Sequence, residues 1–459
     1  MTNPTQAVAK QKKQKQLSSF ENDKTPANPL KEIFVYDDLH PEDNAMLQAL
    51  YSRSPNSVIN HLDKVKGTGS GKFMEKFYVG YGHLSIADCG STTLFIENVS
   101  MLLAKAIQDW PLYNGQEAST RYLDYSKQAI LNPANTKSGE AIQKKWMDFY
   151  NKALPKVNEY LKTVFPIKDG ENSKIYEKAI AARSFDIMRG FLPAGCTTYL
   201  SWHTNLRQAH EKLALLEHHP LQEVKETAVA IRAQLQEKYV NSFSHKKYPS
   251  QEDYWHTTVA EYSYFDPEHH PDFSSEHNIN AQKLKPYQKA LESRPIKTNL
   301  PLCVGEAGQF NFKFLLDFGS FRDIQRHRNG ECKMPLLTTK FGFYPWYLEQ
   351  LPEDVRKEAQ TLIKEQEVKI DALTQDKYIK QYYIPMGYAI AVDVTYRLPA
   401  AIYVAELRSG KTVHPTLRKR AQQMGQSMKT AFPDIAVHLD MEESDWDIKR
   451  GQQDIVNKD

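Results

Sequence analysis

Long hydrophobic runs are absent from this chain: no stretch approaches the roughly 20 apolar residues that a membrane-spanning helix needs. The first residues contain no hydrophobic signal core, so we expect a cytoplasmic protein without a membrane partner. Cysteine is scarce, with four residues and no Cys-x-x-Cys pair, which indicates reduced thiols. The formal net charge is only +3, which argues against stable binding of nucleic acid.

What is present suits a globular enzyme of two domains. The chain has 459 residues, which is long for one core and comfortable for two domains of about 200 residues each. His269 and His270 are adjacent in a Pro-rich stretch and lack ligand spacing, so we predict no metal. The predicted divisions are a disordered basic tail at 1–31, a first repeat at 32–240, a linker at 241–294, a second repeat at 295–440 and a polar tail at 441–459.

Both halves show the same order of elements. In the first half, Ser91–Ile96 reads as a strand and leads into a helical run at Val99–Trp110. In the second half, apolar and polar residues alternate over Phe310–Phe314, and a short helix follows from about Gly319. We therefore expect an α/β fold of the α+β kind, made of two tandem copies, each a sheet packed with helices.

Further helices are predicted in the second part of each half. The Glu140–Tyr160 stretch has an amphipathic face, and Pro155 should kink or end that helix. A helix should begin at His414-Pro415, and His219-Pro220 looks like the corresponding dipeptide of the first half. Two more helical patterns, in which charged residues alternate with apolar stripes, lie at 206–239 and 353–373.

An Arg-His-Arg cluster is the first candidate site. Arg326, His327 and Arg328 follow Gln325, and consecutive helix positions fan around the axis instead of sharing one solvent-facing stripe. The guanidinium group of arginine can donate two parallel hydrogen bonds to phosphate or carboxylate oxygens, and it stacks on planar rings. The alternative is a solvated basic helix end, since cations favour helix C-termini.

A Glu-x-Ser-x-Arg run after Gln116 is the second candidate site. In an extended segment alternate residues face one side, so Glu117, Ser119 and Arg121 would converge on one ligand. An arginine and a hydroxyl suit a nucleotide phosphate, while a carboxylate accepts from a sugar hydroxyl or from another residue. The alternative is a surface loop with an internal Glu–Arg pair.

Several short motifs, in order, resemble the flavin-dependent thymidylate synthases. In that family the Arg-His-Arg and Glu-x-Ser-x-Arg pieces stand side by side, whereas here each half carries one of them. The resembling segments are Gly82-His83-Leu84-Ser85, Gln116 to Tyr122, Phe191-Leu192-Pro193, Asn205-Leu206-Arg207, Arg326-His327-Arg328, Leu407-Arg408-Ser409 and Ala421-Gln422.

The resemblance implies an activity and roles for single residues. The family converts dUMP to dTMP with FAD, NADPH and methylenetetrahydrofolate, and the flavin carries the redox chemistry. The flavin side would comprise His83, Asn205, Gln325, Arg326, His327 and Arg328. The dUMP side would comprise Gln116, Glu117, Ser119, Arg121 and Arg418. Arg207 and Arg408 would occupy equivalent positions late in the two halves. They would lie against the uracil ring as the catalytic arginines.

The departures from the family pattern suggest complementing halves. Asp109-Trp110-Pro111 stands where the first half should carry Arg-His-Arg, and Leu216 falls near the place of a final nucleotide-binding arginine. We therefore expect the halves to complete one site, in a homodimer that forms a pseudo-tetramer. The alternatives are a one-carbon transferase for another pyrimidine nucleotide, an inactive nucleotide- or flavin-binding homologue, and a nucleic-acid-binding protein that uses the basic tail.

Overall fold

The structure, a computed structural model, describes residues 33–452, which fall into two units that divide after His40. The described part of the first unit, 33–40, contains no helix or strand. The expected tail at 1–31 lies outside the described residues, as does 453–459 of the expected polar tail. Within the described ranges, no helix is long and apolar enough to cross a membrane.

The second unit holds the described helices and strands. Its longer helices are α1 (Pro41–Tyr51), α2 (Val58–Thr68), α3 (Met101–Gln108), α4 (Lys137–Val164), α5 (Ser173–Met188), α6 (Leu206–Leu216), α7 (Gln222–Lys238), α8 (Pro249–Tyr262), α9 (Phe318–Ile324), α10 (Glu353–Leu373), α11 (Leu398–Arg408) and α12 (Pro415–Ala431). Its strands are β1 (Ser91–Ser100), β2 (Thr197–Asn205), β3 (Phe273–His277), β4 (Gln309–Asp317), β5 (Glu331–Cys332) and β6 (Ala389–Arg397). Short helical segments lie at Gly71–Phe73, Met74–Gly80, Leu84–Cys89, Arg189–Phe191, Ala281–Leu284, Lys285–Tyr287, Gln288–Glu292, Leu302–Ala307, Pro345–Glu349, Lys377–Lys380, Gln381–Tyr383 and Ile448–Gln452.

Two antiparallel sheets organise these elements. β1 pairs with β2 in one sheet, and the other sheet has the order β3-β4-β6-β5. The inward residues of β4, Phe310, Phe312 and Phe314, are fully buried, as the alternating pattern predicts. Among residues 33–452, helices hold 54% and strands 13%, and the pairings between the strands are antiparallel, so the fold is α+β.

The two halves repeat one order of elements. β1 and α3 correspond to β4 and α9, and β2, α6 and α7 correspond to β6, α11 and α12. Each first helix is capped at its N-terminus by the last strand residue. Ser100 accepts from the amide of Leu103 at 3.0 Å, and Asp317 accepts from that of Ser320 at 2.7 Å. His414 directly precedes α12, whereas His219 lies three residues before the start of α7, so the two histidines do not occupy the same position.

A symmetric backbone junction joins the halves. Pro193 and Pro385 face each other in an antiparallel bridge. On one side the amide of Ala194 donates to Ile384 at 3.0 Å, and on the other the amide of Met386 donates to Leu192 at 2.9 Å. Leu192, Pro193 and Ala194 each precede Ile384, Pro385 and Met386 by 192 positions, so the junction relates corresponding residues by a local twofold axis.

Two expectations about the elements differ from the structure. α4 runs through Pro155 without ending, because its buried face, including Trp146 and Val157, continues on both sides of the exposed proline. The stretch 241–294, expected as a linker, contains α8 and β3, and β3 forms the edge of the second sheet. Its short polar strand carries little alternation from which it could be predicted.

Candidate functional site

The two motif pieces, distant in the sequence, lie against each other in the structure. The Gln116–Arg121 run follows α3 and lies along β2, with a bridge between Glu117 and Leu200. The Arg326–Arg328 cluster comes just after the end of α9. Glu117 forms an ion pair with Arg322 of α9, so the first half and the second half meet at the motifs.

Glu117 is the centre of a buried ion cluster. Its carboxylate accepts from Lys105 Nζ at 3.0 Å and from Gln108 Nε2 at 2.9 Å, and it pairs with Arg322. Burial alone would raise the pKa of Glu117, but the two cations outweigh it and lower the pKa to about 2. The Glu117 side chain is only 1% exposed, so its partners here are protein groups and not a sugar hydroxyl.

Corresponding positions of the two halves supply both cations of this cluster. Lys105 lies five residues after the cap Ser100, and Arg322 lies five residues after the cap Asp317. Burial lowers the pKa of Lys105 to about 8. The two halves therefore clamp Glu117 from both sides, which ties the motif run to α3 and α9.

Arg121 is held by a second buried carboxylate. Its Nε and Nη2 atoms donate to Asp186 at 2.7 and 3.1 Å, and Nη2 also donates to the carbonyl of Thr412 at 3.2 Å. Asp186 is fully buried and also pairs with Arg450. Burial would raise the pKa of Asp186, but Arg121 and Arg450 hold it well below its usual range. In the described part of the chain only Nη1 of Arg121 is left for a ligand.

Asp323 of α9 faces several arginines from different elements. Its carboxylate lies 3.9 Å from Arg189 Nη1 and 3.9 Å from Arg326 Nε. Burial would raise its pKa, but Arg121, Arg189, Arg326 and Arg408 together lower it. One carboxylate therefore faces four guanidinium groups, and the excess positive charge makes this region suited to an anion.

The Arg-His-Arg cluster presents its three side chains differently. Arg326 is 44% exposed, while His327 Nε2 accepts from Arg408 Nε at 2.7 Å. This contact needs a neutral imidazole, and burial followed by Arg408 lowers the pKa of His327 to about 3. The guanidinium of Arg328 lies over the ring of Tyr113 from the first half, 4.7 Å from its centroid.

A cavity of about 390 Å³ lies beside the cluster and is lined by all three of its residues. It shares four lining residues with a neighbouring cavity of about 680 Å³, namely Asn299, Leu300, Pro399 and Tyr403. Arg328 Nε and the Tyr396 hydroxyl are buried beside the smaller cavity without a described hydrogen-bond partner. Arg326, the free Nε of Arg328 and the Tyr396 hydroxyl are donors that fit the pyrophosphate of a flavin dinucleotide.

Three predicted residues lie outside this convergent region. His83 is exposed just before the short helix Leu84–Cys89, and Asn205 caps α6 by accepting from the amide of Gln208 at 2.8 Å. Arg207 donates to Asp88 at 2.7 Å. Among residues 33–452, no hydrogen bond or ion pair joins these three to the Arg-His-Arg cluster.

The expectation that Arg207 and Arg408 occupy one slot in the two halves is wrong. Arg207 stands in the first turn of α6, and Arg408 is the last residue of α11. Since α6 and α11 correspond with an offset of 192 positions, Arg408 corresponds to Leu216. The first half therefore has an apolar residue where the second half has an arginine.

The remaining residues of the motif runs have local contacts. Gln116 is exposed, and the Ser119 hydroxyl accepts from the amide of Arg121 at 3.3 Å. Gln325 is buried and donates through Nε2 to the carbonyl of Lys105 at 3.4 Å. These contacts hold the backbone of both runs in place.

Arg418, expected to bind substrate, is used within the second half. It is buried in α12, where it donates to the carbonyl of Ser409 at 2.7 Å and to Asp440 at 3.0 Å. With these acceptors close by, its guanidinium anchors the segment after α12 to the end of α11.

Several charged residues of the region were missed from the sequence. Asp186, Arg189 and Arg450 reach it from α5, the turn after α5 and the last described helical turn. No local pattern marks them, because their role depends on tertiary packing. Asp323 could have been found from the sequence, since it lies on α9 and precedes the Arg-His-Arg cluster by three residues.

One comparison with known proteins concerns the first half. Residues 36–239 match the family model described as thymidylate synthase complementing protein. The matched range contains the Gln116–Arg121 run and ends before the Arg326–Arg328 cluster.

Three curated relatives are similar over most of the chain. A UPF0159 protein of Thermoplasma acidophilum is 26% identical, over 86% of this chain and 94% of the relative. UPF0159 proteins of Chlamydia pneumoniae and Chlamydia muridarum are each 24% identical. Those two alignments cover 75% and 81% of this chain, and 76% and 82% of the respective relatives. The similarity therefore extends well beyond 36–239 and includes the second half.

Proposed function

We propose that this protein is a flavin-dependent thymidylate synthase, which converts dUMP to dTMP with methylenetetrahydrofolate and NADPH through FAD. The observation that carries the proposal is the Glu117–Arg322 ion pair, which joins the Gln116–Arg121 run to α9, the helix just before the Arg326–Arg328 cluster. The match of residues 36–239 to the thymidylate synthase complementing protein family supports the same chemistry.

The flavin side is assigned to the second half. Arg326 and Arg328 would hold the cofactor's pyrophosphate at the paired cavities, and His327 would position Arg408 through their hydrogen bond. FAD, when bound, supplies the hydride that it takes from NADPH. The chain's own contribution is orientation, charge and exclusion of water.

The substrate side is assigned to the region between Arg121 and Arg408. Nη1 of Arg121 would bind the dUMP phosphate, in the excess positive charge around Asp323. Arg408 would lie against the uracil ring and favour its deprotonated form. Glu117 and Ser119 would position Arg121 rather than contact the nucleotide, since Glu117 is closed off by its two cations.

The repeated order of elements supports a tandem duplication in which each copy kept a different part of the site. Two such chains would bring four repeats together, as in the pseudo-tetramer that we expect from the sequence. We therefore include a homodimer that forms a pseudo-tetramer in the proposal.

Flavin retention tests the assignment of the Arg-His-Arg cluster. Arg326→Ala should lose bound flavin, measured by absorbance of the released cofactor. The flavin-free wild type and variant should share one unfolding midpoint, because Arg326 is 44% exposed. Lys144→Ala on α4, at an exposed ion pair, is the control and should keep the flavin of the wild type. Full flavin content in Arg326→Ala would refute the assignment.

Product analysis tests the substrate. Incubation with dUMP and then with other pyrimidine nucleotides, followed by mass spectrometry, should show methylation of dUMP. A modified product from a different pyrimidine nucleotide, with none from dUMP, would identify a related one-carbon transferase instead.

A further inference from the structure

The last described turn of the chain, Ile448–Gln452, is docked tightly on α5. Just before it, the ring of Trp446 stacks on that of Phe165, with the centroids 4.5 Å apart and the planes 6° from parallel. A Cβ on Gly451 would collide with the backbone carbonyl of Ile175 in α5, so a residue with a side chain does not fit there without a shift of the turn. The side chains of this turn are therefore held in a fixed place.

Arg450 of this turn reaches the buried carboxylate that holds Arg121. Its Nη1 donates to Oδ2 of Asp186, the same oxygen that accepts from Nη2 of Arg121 at 3.1 Å. The Asp186 side chain is fully buried, whereas those of Arg121 and Arg450 are 13% and 10% exposed. Two arginines from distant parts of the chain therefore meet at one carboxylate oxygen, and both side chains are partly open to solvent.

The two arginines carry one positive charge more than the carboxylate between them. In the described part of the chain, Asp186 is the only carboxylate that forms an ion pair with either of them. Asp445, on the segment just before the turn, pairs with Arg183 at 3.1 Å instead. Asp323 also acts on Arg121 through its charge, but three further arginines surround it, so it leaves no negative charge in excess. One positive charge therefore remains unmatched beside Arg121.

This unmatched charge changes what Arg121 can bind. A guanidinium that donates two hydrogen bonds to a single buried carboxylate forms a neutral pair, and a neutral pair attracts an anion only weakly. Arg450 on the same oxygen leaves the group of three with a net positive charge, next to Nη1 of Arg121. Nε and Nη2 of Arg450 are buried and have no hydrogen-bond partner among the described residues, so Asp186 is the acceptor that fixes this side chain. Without Arg450, the pair of Arg121 and Asp186 would be electrically neutral.

We propose that Arg450 is a positioning residue of the substrate site, which acts through Asp186 and gives Arg121 the net positive charge that it needs to bind the phosphate of a nucleoside monophosphate. The class of ligand rests on the proposed function, whereas the charge balance rests on the ion pairs alone. Arg450 does not itself contact the nucleotide, because its guanidinium is held against Asp186. The docked turn is therefore part of the phosphate site, although it is distant from both motifs in the sequence.

Calorimetric titration of the full-length protein with dUMP and with deoxyuridine, in the presence of FAD, tests the proposal. The ratio of the two dissociation constants measures what the phosphate contributes. Arg450→Met should reduce this ratio by at least about tenfold through weaker binding of dUMP, with deoxyuridine unchanged. Arg450→Lys keeps a charge at Asp186 and should restore most of the ratio. Lys449→Met removes a charge from the exposed neighbouring position and is the control that should match the wild type.

A merely structural role of Arg450 gives a different result. Affinities for dUMP and deoxyuridine that fall together in Arg450→Met would overturn the proposal, as would a ratio equal to that of the wild type. Gly451→Ala tests the same point without a change at Arg450, and it serves if Arg450→Met does not fold. Its added Cβ displaces the turn from α5, so the ratio should fall, and an unchanged ratio would contradict the role of the docked turn.

Arg121→Met separates this inference from the proposed function. A ratio that falls in Arg121→Met but not in Arg450→Met would overturn the role of Arg450 and keep the proposed substrate site. If the wild type does not bind dUMP, the proposed substrate falls, and inorganic phosphate then tests the charge balance alone. Phosphate should raise the unfolding midpoint of the wild type and of Arg450→Lys more than that of Arg450→Met. An equal rise in all three proteins would overturn the inference.

Discussion

At the scale of the residue, Glu117 of the motif has a structural role that its sequence context does not reveal. Glu117 neutralises Lys105 and Arg322, one from each half, in a site closed to solvent. Removing the shared carboxylate leaves two buried cations without a counter-charge. The motif is therefore part of what holds the halves together as well as part of the proposed site.

Glu117→Gln should lower the free energy of unfolding by about 3 to 5 kcal/mol, measured by urea denaturation at pH 7. Glu97→Gln, at an exposed position of β1, is the control and should stay within about 0.5 kcal/mol of the wild type. The pKa of Glu117 is depressed to about 2, so its contribution is present above pH 4.5 and is lost as the pH falls towards 2. Equal stability of Glu117→Gln and wild type at pH 7 would contradict the cluster.

His327 should make stability depend on pH in the range below neutrality. Its pKa is lowered from 6.5 to about 3, so the unfolded chain takes up the proton first as the pH falls. The contribution of the neutral His327 to the free energy of unfolding is therefore complete above pH 6.5. It declines below that pH, by roughly 2 kcal/mol at pH 5.

The measurement is the urea midpoint of wild type and His327→Gln between pH 7.5 and 5. Glutamine still accepts from Arg408 but does not titrate, so the variant should lose less stability on acidification. Parallel curves for the two proteins would show that His327 is not buried as described.

At the scale of the element, residue composition, alternation and the position of prolines predicted the parts that carry the motifs. β1 and β4, the helices after them and α12 fall within a few residues of their expected bounds. β3 was missed because a short polar edge strand is defined by its partner β4 and not by its own composition. α4 does not end at Pro155, because packing of its buried face outweighs the local effect of the proline.

Pro155→Ala should stabilise the protein by about 1 kcal/mol or more. The exposed proline lacks an amide, and alanine restores one helical hydrogen bond, although it also loosens the unfolded chain. The comparison is made by urea denaturation, with Lys156→Ala at the next exposed position as the control. A loss of stability in Pro155→Ala alone would mean that a bend at this residue is needed for packing.

At the scale of the whole molecule, the sequence predicted that the two halves complement each other, and it missed what surrounds their meeting point. The motif spacing indicated that each half carries one piece. The ion pairs of Asp186 with Arg121 and with Arg450 join distant parts of the chain and leave no periodic signal. The expectation that Arg207 and Arg408 correspond was wrong, because a short motif does not show at which end of a helix it lies.

The outer face of the first sheet is the surface we expect to pair in a homodimer. Phe95 of β1 is 78% exposed and Tyr199 of β2 is 49% exposed, on the same face. Sedimentation of the 52.9 kDa chain should show a dimer, and Phe95→Asp should shift it to monomer. Val229→Asp, at an exposed apolar position of α7, is the control and should remain dimeric. A monomeric wild type would contradict this expectation.

The central claim is that the halves together form one flavin-dependent thymidylate synthase site. The most direct test is mass spectrometry of dTMP formed from dUMP, methylenetetrahydrofolate, FAD and NADPH, with a reaction lacking flavin beside it. We expect dTMP in the complete reaction, its loss without FAD and its loss in Arg326→Ala. Absence of dTMP from flavin-loaded wild-type protein, or equal dTMP with and without flavin, would contradict it.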